Sequence, residues 1–391
     1  MVGVAVTDFQ TDIDRVAHDI AQAEPLLAAQ PNDIEQATLQ AYRWYHLASL
    51  GGQMPDFATA QRVAGAAIDR FGPREDLCLL IANLDFRFHR LPEVRADLEP
   101  LKARPHARSI LADLDFQEGR YEHARLAYEE LIAADPVWDD MARLAHWYGK
   151  MGDRTRADEW FERAADELTA KQMRSFAWVE VQRGVLDLSH GDHAAARGHY
   201  DRAARAYSGY WLIDEHLAEL FAAEERFDEA EALYLRLAAH EPRPELLQTI
   251  GELYLAMDSP GQASPYLDRA LGLYLESATR GEVHYWHHLS DYYSDVRIDG
   301  AQAVEWARRD LDLRQNFNTQ AAMALALHVA GRPAEGLAWI EKALASGVVD
   351  AHLFSTAAQV YRGAQRESDA QRYEAAALRI NPHAGRFHVH R

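Results

Sequence analysis

A small residue recurs eight times along this chain at steps of 33 to 40 residues, each time five places after a predicted turn. The recurring residues are Ala124, Ala157, Ala196, Ala230, Ala263, Ala303, Gly336 and Ala370. A spacing of this length is typical of solenoids, in which one supersecondary unit is stacked many times. We therefore expect a repeat array, with loop insertions at the two longer steps of 39 and 40 residues.

Each unit has the pattern of two short amphipathic helices joined by a tight turn, with apolar residues at i, i+3, i+4 and i+7 on either side. Pro136, Pro242 and Pro382 follow the predicted ends of second helices, where proline stops a helix. The small residue in each unit leaves room for the two helices to cross closely. Ala60 and a weaker copy near 76–101 extend the pattern upstream, which gives about ten units.

The units also share larger residues at fixed places. First helices carry the frames Trp286-x-x-Leu289-Ser290-x-x-Tyr293, Ile250-Gly251-x-x-Tyr254, Leu144-Ala145-x-x-Tyr148 and Leu217-Ala218-x-x-Phe221. Second helices carry the aromatic residues Tyr128, Phe161, Tyr200, Tyr234, Tyr266 and Tyr373. This pattern resembles the tetratricopeptide repeat family, whose unit has 34 residues. The resemblance implies an all-α, right-handed superhelical solenoid of about ten helix pairs.

The resemblance varies in clarity along the chain and suggests three segments. Residues 1–105 are interpreted as degenerate N-terminal helices of the same kind, and residues 106–382 as the tandem solenoid. Residues 383–391 form a C-terminal tail that contains histidines. Around Gly184 the apolar core pattern is displaced, which leaves the local register of that unit open.

Charge limits the class of partner. The chain has 41 Lys and Arg against 61 Asp and Glu, a formal net charge of −20, which repels nucleic acid and anionic membranes and favours basic partners. No run of 18 apolar residues and no signal peptide is present, so we expect no membrane insertion and a cytoplasmic location. Removal of a leader would instead place the protein in the periplasm or outside the cell.

The sequence carries none of the common catalytic or nucleotide-binding motifs, such as a P-loop, a Gly-x-Ser-x-Gly elbow or His-Glu-x-x-His. The open concave surface of a solenoid also excludes water poorly. We therefore predict that the protein is not an enzyme.

In the tetratricopeptide repeat family the first helices line a concave groove, and the resemblance implies which positions face it. The 21 positions are Tyr42, Tyr45, Ser49, Asp139, Ala142, His146, Leu212, Glu215, Glu219, Glu245, Gln248, Glu252, His284, His287, Asp291, Asn318, Ala321, Leu325, His352, Ser355 and Gln359. The predicted partner-binding residues are Glu215, Glu219, Glu245, Gln248, Glu252, His284, His287 and Asp291. Because this set is mostly acidic, it favours a basic protein or peptide segment, although acidic residues on a helix also occur as a plain solvated face.

Histidines suggest a second interpretation. If His284, His287 and Asp291 share one helical face, they could bind zinc, nickel or copper, with Glu252 as a fourth ligand. The tail residues His383, His388 and His390 could also chelate a metal. Groove histidines equally form hydrogen bonds with peptides, so the expected cofactor is none, with a divalent transition metal as the alternative. His190 and His193 are interpreted as plain surface residues of a turn.

The sequence thus predicts a non-enzymatic scaffold that binds a protein or peptide, with a basic segment, in its concave groove. The first alternative is a metal-binding protein that uses groove or tail histidines. The second is an accessory subunit of an enzyme or secretion assembly. Homo-oligomerisation is left open.

Overall fold

The computed structural model describes residues 8–385, and these contain helices and connecting turns but no β-strand. A short 3-10 turn, Glu99–Leu101, follows the fifth α-helix, and a π-helical turn, Tyr292–Val296, follows the sixteenth. The α-helices, α1 to α21 in chain order, are Phe9–Ala29, Ile34–Gly51, Met54–Phe71, Glu75–Arg87, Leu91–Leu98, Pro105–Gln117, Tyr121–Ala134, Trp138–Lys150, Arg154–Asp166, Met173–Ser189, His193–Ala206, Trp211–Ala223, Phe227–His240, Pro244–Ala256, Pro260–Thr279, Trp286–Asp291, Gly300–Leu313, Phe317–Val329, Pro333–Ala345, Ala351–Gly363 and Glu367–Ile380.

Helices α2 to α21 pack as ten consecutive antiparallel pairs, which we number units 1 to 10. Unit 1 is α2 with α3, and unit 10 is α20 with α21. The extra helix α1 packs on α2 at the start of the array. The all-α solenoid of about ten helix pairs predicted from the sequence is therefore confirmed. No helix in residues 8–385 is both long enough and apolar enough to cross a membrane.

The recurring small residues lie where the two helices of each unit cross. All eight are buried, and the seven alanines among them are completely inaccessible. At Gly336 an added Cβ would lie 2.9 Å from the carbonyl oxygen of Ala324, so even one methyl group is too large there. The same crowding explains Gly184, because an added Cβ would lie 2.2 Å from the ring of Tyr200. Gly184 is thus the close-contact position of the first helix in unit 5.

The second-helix aromatic position is only partly as predicted. Tyr128, Phe161, Tyr200 and Tyr234 are buried in their units. Tyr266 is half-buried, because its neighbour Leu267 occupies the buried place four residues after the small residue.

One residue in the turn within each unit adopts a left-handed backbone conformation. Glycine supplies it in five of the ten units, and another residue supplies it in the other five. The ten residues are Gly52, His89, Gly119, Gly152, Gly191, Glu225, Asp258, Ile298, Gly331 and Gln365. Glycine adopts this conformation without the steric cost that other residues incur, so the turns differ in strain although they share one geometry.

The expected loop insertions at the two longer steps are largely helix extensions. Helix α15 has 20 residues where most second helices have 13 or 14, and α10 has 17. In α15 the extra turn buries Tyr274, whose ring packs against those of Tyr285 and His288. No proline stops α15 at the usual place, so the apolar face continues and the helix with it.

The solenoid winds tightly enough for its second half to contact its first half. The indole Nε1 of Trp211 donates to the carbonyl oxygen of Leu50 at 2.8 Å, across 161 residues of sequence. Farther along, the side-chain amide of Asn316 donates to the carbonyl oxygen of Gln117 at 2.9 Å, across 199 residues. We call this line of contacts the seam. The contacts join the turns of units 1 to 4 to the helix starts of units 6, 8, 9 and 10, and the turn of unit 5 to the residues after α21. The seam therefore partly encloses the concave surface.

Glycines allow the close approach at the seam. An added Cβ on Gly119 would lie 2.6 Å from the carbonyl oxygen of Gln315, and one on Gly52 would lie 2.5 Å from the ring of Trp211. Turn glycines away from the seam, such as Gly331, have no such neighbour within 4 Å. At Gly52 and Gly119, glycine therefore meets two requirements, a left-handed backbone conformation and a lack of space for any side chain.

Candidate functional site: a cavity inside the solenoid

The concave surface encloses a cavity of about 510 Å³, which we call the central cavity. It is lined mainly by the first helices of units 4, 5, 6, 9 and 10 and by residues that follow α21. This volume lies within the range of about 300–1,000 Å³ typical of ligand pockets. The polar side chains in its wall are His146, Lys150, Gln182, Ser189, His190, His193, Glu219, Asp295, Asn318, Asp350, His352, Ser355, Thr356, Gln359, Asn381 and His383.

The lysine of this wall is part of an ion pair across the seam. Lys150 Nζ, at the end of α8, lies 3.0 Å from Oδ2 of Asp350, which caps the start of α20. The backbone N–H of Val349 also donates to the carbonyl oxygen of Lys150 at 2.8 Å. Burial alone would raise the pKa of Asp350, but Lys150 and the backbone N–H of Leu353 hold that pKa well below its usual value. Both charges are thus compensated within the chain.

Three uncharged side chains project into the central cavity. The amides of Asn318 on α18 and Gln359 on α20 are exposed to it, as is the imidazole of His146 on α8. The surrounding wall desolvates His146 and lowers its pKa to about 4, with a contribution from Lys150, so the ring is neutral at physiological pH. Among residues 8–385, none of these three side chains has a hydrogen-bond partner, so their donors and acceptors are available to a ligand.

The predicted acidic residues are largely engaged with other residues of the chain. Glu215 on α12 accepts a hydrogen bond from Arg243 at 2.8 Å, and Glu245 lies 3.8 Å from the same guanidinium. Burial raises the pKa of Glu245, with Arg243 opposing it. On α12, Glu219 is buried in the wall of the central cavity with Oε2 2.8 Å from Nδ1 of His216.

Gln248 and Glu252 form a smaller network on α14. The Gln248 amide donates to Glu252 at 2.8 Å and accepts from the hydroxyl of Tyr274 at 3.0 Å. These two residues do not line the central cavity, and neither do Glu215 and Glu245. Of the predicted acidic residues, only Glu219 does.

The predicted metal ligands do not form one helical face, which corrects the sequence interpretation. His284 precedes α16 by two residues and is buried against Phe88, with ring centroids 5.8 Å apart. His287 lies in α16 with its ring centroid 5.5 Å from that of His89, and Asp291 is the last residue of that helix. In the part of the chain that the structure describes, no three His, Cys, Asp or Glu side chains are placed to hold a metal ion.

The seam accounts for this placement of the histidines. His89 is the left-handed turn residue of unit 2, and it meets the start of unit 8 just as Gly119 meets the start of unit 9. His284 and His287 are therefore packing residues between the two halves of the solenoid. The tail residues His388 and His390 lie outside the described residues.

This geometry is shared with a known fold. The structure of the human IFIT1 dimer with m7Gppp-AAAA matches 94% of this chain and 86% of its own, at 12% identity and a TM-score of 0.50. The chain has the tetratricopeptide-repeat fold. A tetratricopeptide repeat protein from Parabacteroides merdae matches 75% of this chain and 98% of its own, at 13% identity and a TM-score of 0.40. MamA matches 43% of this chain and 96% of its own, at 20% identity and a TM-score of 0.34.

No family model matches the sequence of this tetratricopeptide-repeat chain. No curated protein matches it at a significant level either. The fold is therefore established by structural similarity and not by sequence similarity.

Two wall residues of this tetratricopeptide-repeat chain were misassigned from the sequence. His190 and His193 were expected on plain surface, but both line the central cavity, and the ring centroid of His193 lies 4.6 Å from that of His383. The contact arises because Gly191 meets the chain end after α21, where an added Cβ would lie 2.7 Å from Oδ1 of Asn381. No local sequence signal reports a contact across about 190 residues.

The groove positions implied by the family resemblance were a better guide to this tetratricopeptide-repeat cavity. Seven of the 21 residues at those positions line it, namely His146, Glu219, Asn318, Leu325, His352, Ser355 and Gln359, whereas one of the eight predicted partner-binding residues does. Six of the seven were left out of the predicted binding set because that set favoured acidic side chains. The signal that could have found them was position in the repeat, irrespective of charge.

Proposed function

We propose that this protein is a non-enzymatic scaffold that binds a protein partner by holding a short segment of it in the central cavity. The observation that carries the proposal is the set of polar groups on His146, Asn318 and Gln359, which face this cavity without a protein partner. Polar groups of this kind in a concave pocket fix the orientation of a ligand. The absence of catalytic motifs supports a binding role rather than a chemical one.

A protein partner fits the charge of this chain better than nucleic acid does. The human IFIT1 dimer was solved with m7Gppp-AAAA, so the fold alone does not exclude nucleic acid. In this chain, however, the lysine of the central cavity is paired with Asp350, and the formal net charge is −20. Phosphate binding generally needs cationic groups to replace released counterions. The proposal of a protein partner therefore rests on the charges of this chain.

The experiment is a selection of random phage-displayed peptides on the full chain. Selected peptides are then measured against a variant with Asn318→Ala and Gln359→Ala, which removes two cavity amides. The matched control is Gln262→Ala with Gln302→Ala, which removes two exposed amides from the second helices α15 and α17. We expect at least about tenfold weaker binding in the cavity variant and unchanged binding in the control. Equal binding by both variants would place the peptide site elsewhere.

A further inference from the structure

The charges in the wall of the central cavity are already engaged within the chain. Lys150 pairs with Asp350 at 3.0 Å, and Glu219 lies 2.8 Å from His216. Asp295, the remaining carboxylate of the wall, also has an interaction partner among the described residues. A charged ligand group would therefore have to displace one of these partners or enter without a counter-charge.

What the central cavity offers freely is uncharged. An amide such as that of Asn318 or Gln359 presents two N–H donors and one carbonyl acceptor, which match the acceptor and donor of a peptide group. Neutral His146 adds one donor and one acceptor. The three side chains come from units 4, 9 and 10, so their hydrogen bonds approach from both halves of the solenoid.

We infer that the segment bound in the central cavity is uncharged and is recognised through its amide groups, either backbone amides or Asn and Gln side chains. This inference rests on the proposed function, and it replaces the basic segment that the sequence predicted. Its physical basis is desolvation. Moving an ionised group out of water without a partner costs far more than moving an amide that finds hydrogen bonds.

The inference also predicts the salt dependence of binding. Attraction between exposed opposite charges weakens as salt shortens the screening length, which is about 8 Å at physiological ionic strength. Hydrogen bonds between neutral amides inside a cavity lack this dependence. A basic segment held by Glu215 and Glu245 would lose affinity with salt, whereas an uncharged segment in the central cavity would not.

The test uses three pools of short peptides of equal length, acetylated at the N-terminus and amidated at the C-terminus. One pool contains Asn, Gln, Ser and Gly, and the second and third replace half of these residues with Lys and Arg or with Asp and Glu. Binding to the full chain is measured by calorimetry at low and high sodium chloride. The two variants described above, Asn318→Ala with Gln359→Ala and Gln262→Ala with Gln302→Ala, are measured in parallel.

We expect the uncharged pool to bind best, with less than a twofold change across the salt range and about tenfold weaker binding to the cavity variant. Tighter, salt-sensitive binding of a charged pool that the cavity variant still weakens would overturn the uncharged class and leave the proposed function standing. Binding unaffected by the cavity variant, or no binding by any pool, would count against the proposed function itself.

Discussion

Lys150 Nζ lies 3.0 Å from Oδ2 of Asp350, although the two residues are 200 positions apart. The pair joins the end of the first helix in unit 4 to the start of the first helix in unit 10. In a solenoid each unit normally contacts only its neighbours. This contact therefore reports how far the whole array has wound.

The pair makes the winding measurable in solution. A zero-length carbodiimide reagent should join Lys150 to Asp350 as an amide, which mass spectrometry of a digest detects as two linked peptides. The chain has only four lysines, Lys102, Lys150, Lys171 and Lys342, so few products form. Asp350→Asn removes the carboxylate and is the control. If Lys102 couples to its close neighbour Glu99 while Lys150 and Asp350 do not couple, the two halves are apart in solution.

Alanine substitutions at two glycines distinguish the loss of stability caused by backbone conformation from the loss caused by close contact at the seam. Gly119 and Gly331 have φ values of +79° and +73° in equivalent turns, but only Gly119 faces a close neighbour, the carbonyl oxygen of Gln315. Gly331→Ala should lower the free energy of unfolding by about 1 kcal/mol through conformation alone. Gly119→Ala should lower it by at least about 1 kcal/mol more, because the helix start at Gln315 must move. Urea denaturation measures both, and equal losses would contradict close packing at this part of the seam.

Ile298 is a strained turn residue whose replacement should stabilise the protein. It has φ +52°, where a β-branched side chain is unfavourable, and the residue is 64% exposed, so little packing is lost on truncation. Ile298→Gly should raise the free energy of unfolding by about 0.5 to 1 kcal/mol. This net gain is the backbone strain relieved in the folded state minus the cost of the greater conformational entropy that glycine gives the unfolded chain. Ile298→Ala is the control, since alanine keeps most of the backbone strain. A midpoint of urea denaturation that falls in the glycine variant would show that the turn is unstrained.

His284 should make the stability of the fold depend on pH. Burial, with nearby Arg90, Arg280 and Arg87, lowers its pKa from 6.5 to about 4, while Glu282 opposes the shift. The folded state therefore favours the neutral ring, and the unfolded state takes up the proton first. The contribution of His284 to the free energy of unfolding is fully present above about pH 6.5. It is lost as the pH falls towards 4, and the total loss is about 3 kcal/mol.

The measurement compares the wild-type chain with His284→Phe, which keeps a ring against Phe88 but cannot be protonated. The free energy of unfolding at pH 5 relative to pH 7 should fall less in the variant. Glu241 acts in the opposite direction, because burial raises its pKa to about 7 and its protonation favours the folded state. The difference between the two proteins removes this common contribution. Identical pH profiles would mean that His284 is solvated in the folded protein.

The repeat frame was predictable because its causes are local. Ala157 and its counterparts are small because two helices of one unit cross there, and those helices are adjacent in sequence. The turn residues and the pairing of helices follow from the same short-range periodicity. Even the positions that line the central cavity, such as Asn318 and Gln359, follow from their place in the unit.

The tertiary structure decided which of the groove positions present side chains that are available to a partner. Glu215 looks like a free groove carboxylate until Arg243, from the next unit, is placed beside it. His284 and His287 look like metal ligands until the seam packs their rings against those of Phe88 and His89. The seam forms because a small rotation between neighbouring units accumulates over six units. No single unit encodes this accumulated rotation. The sequence by itself determined the unit and its stacking, whereas only the winding of the complete solenoid decided which polar groups remain available to a partner.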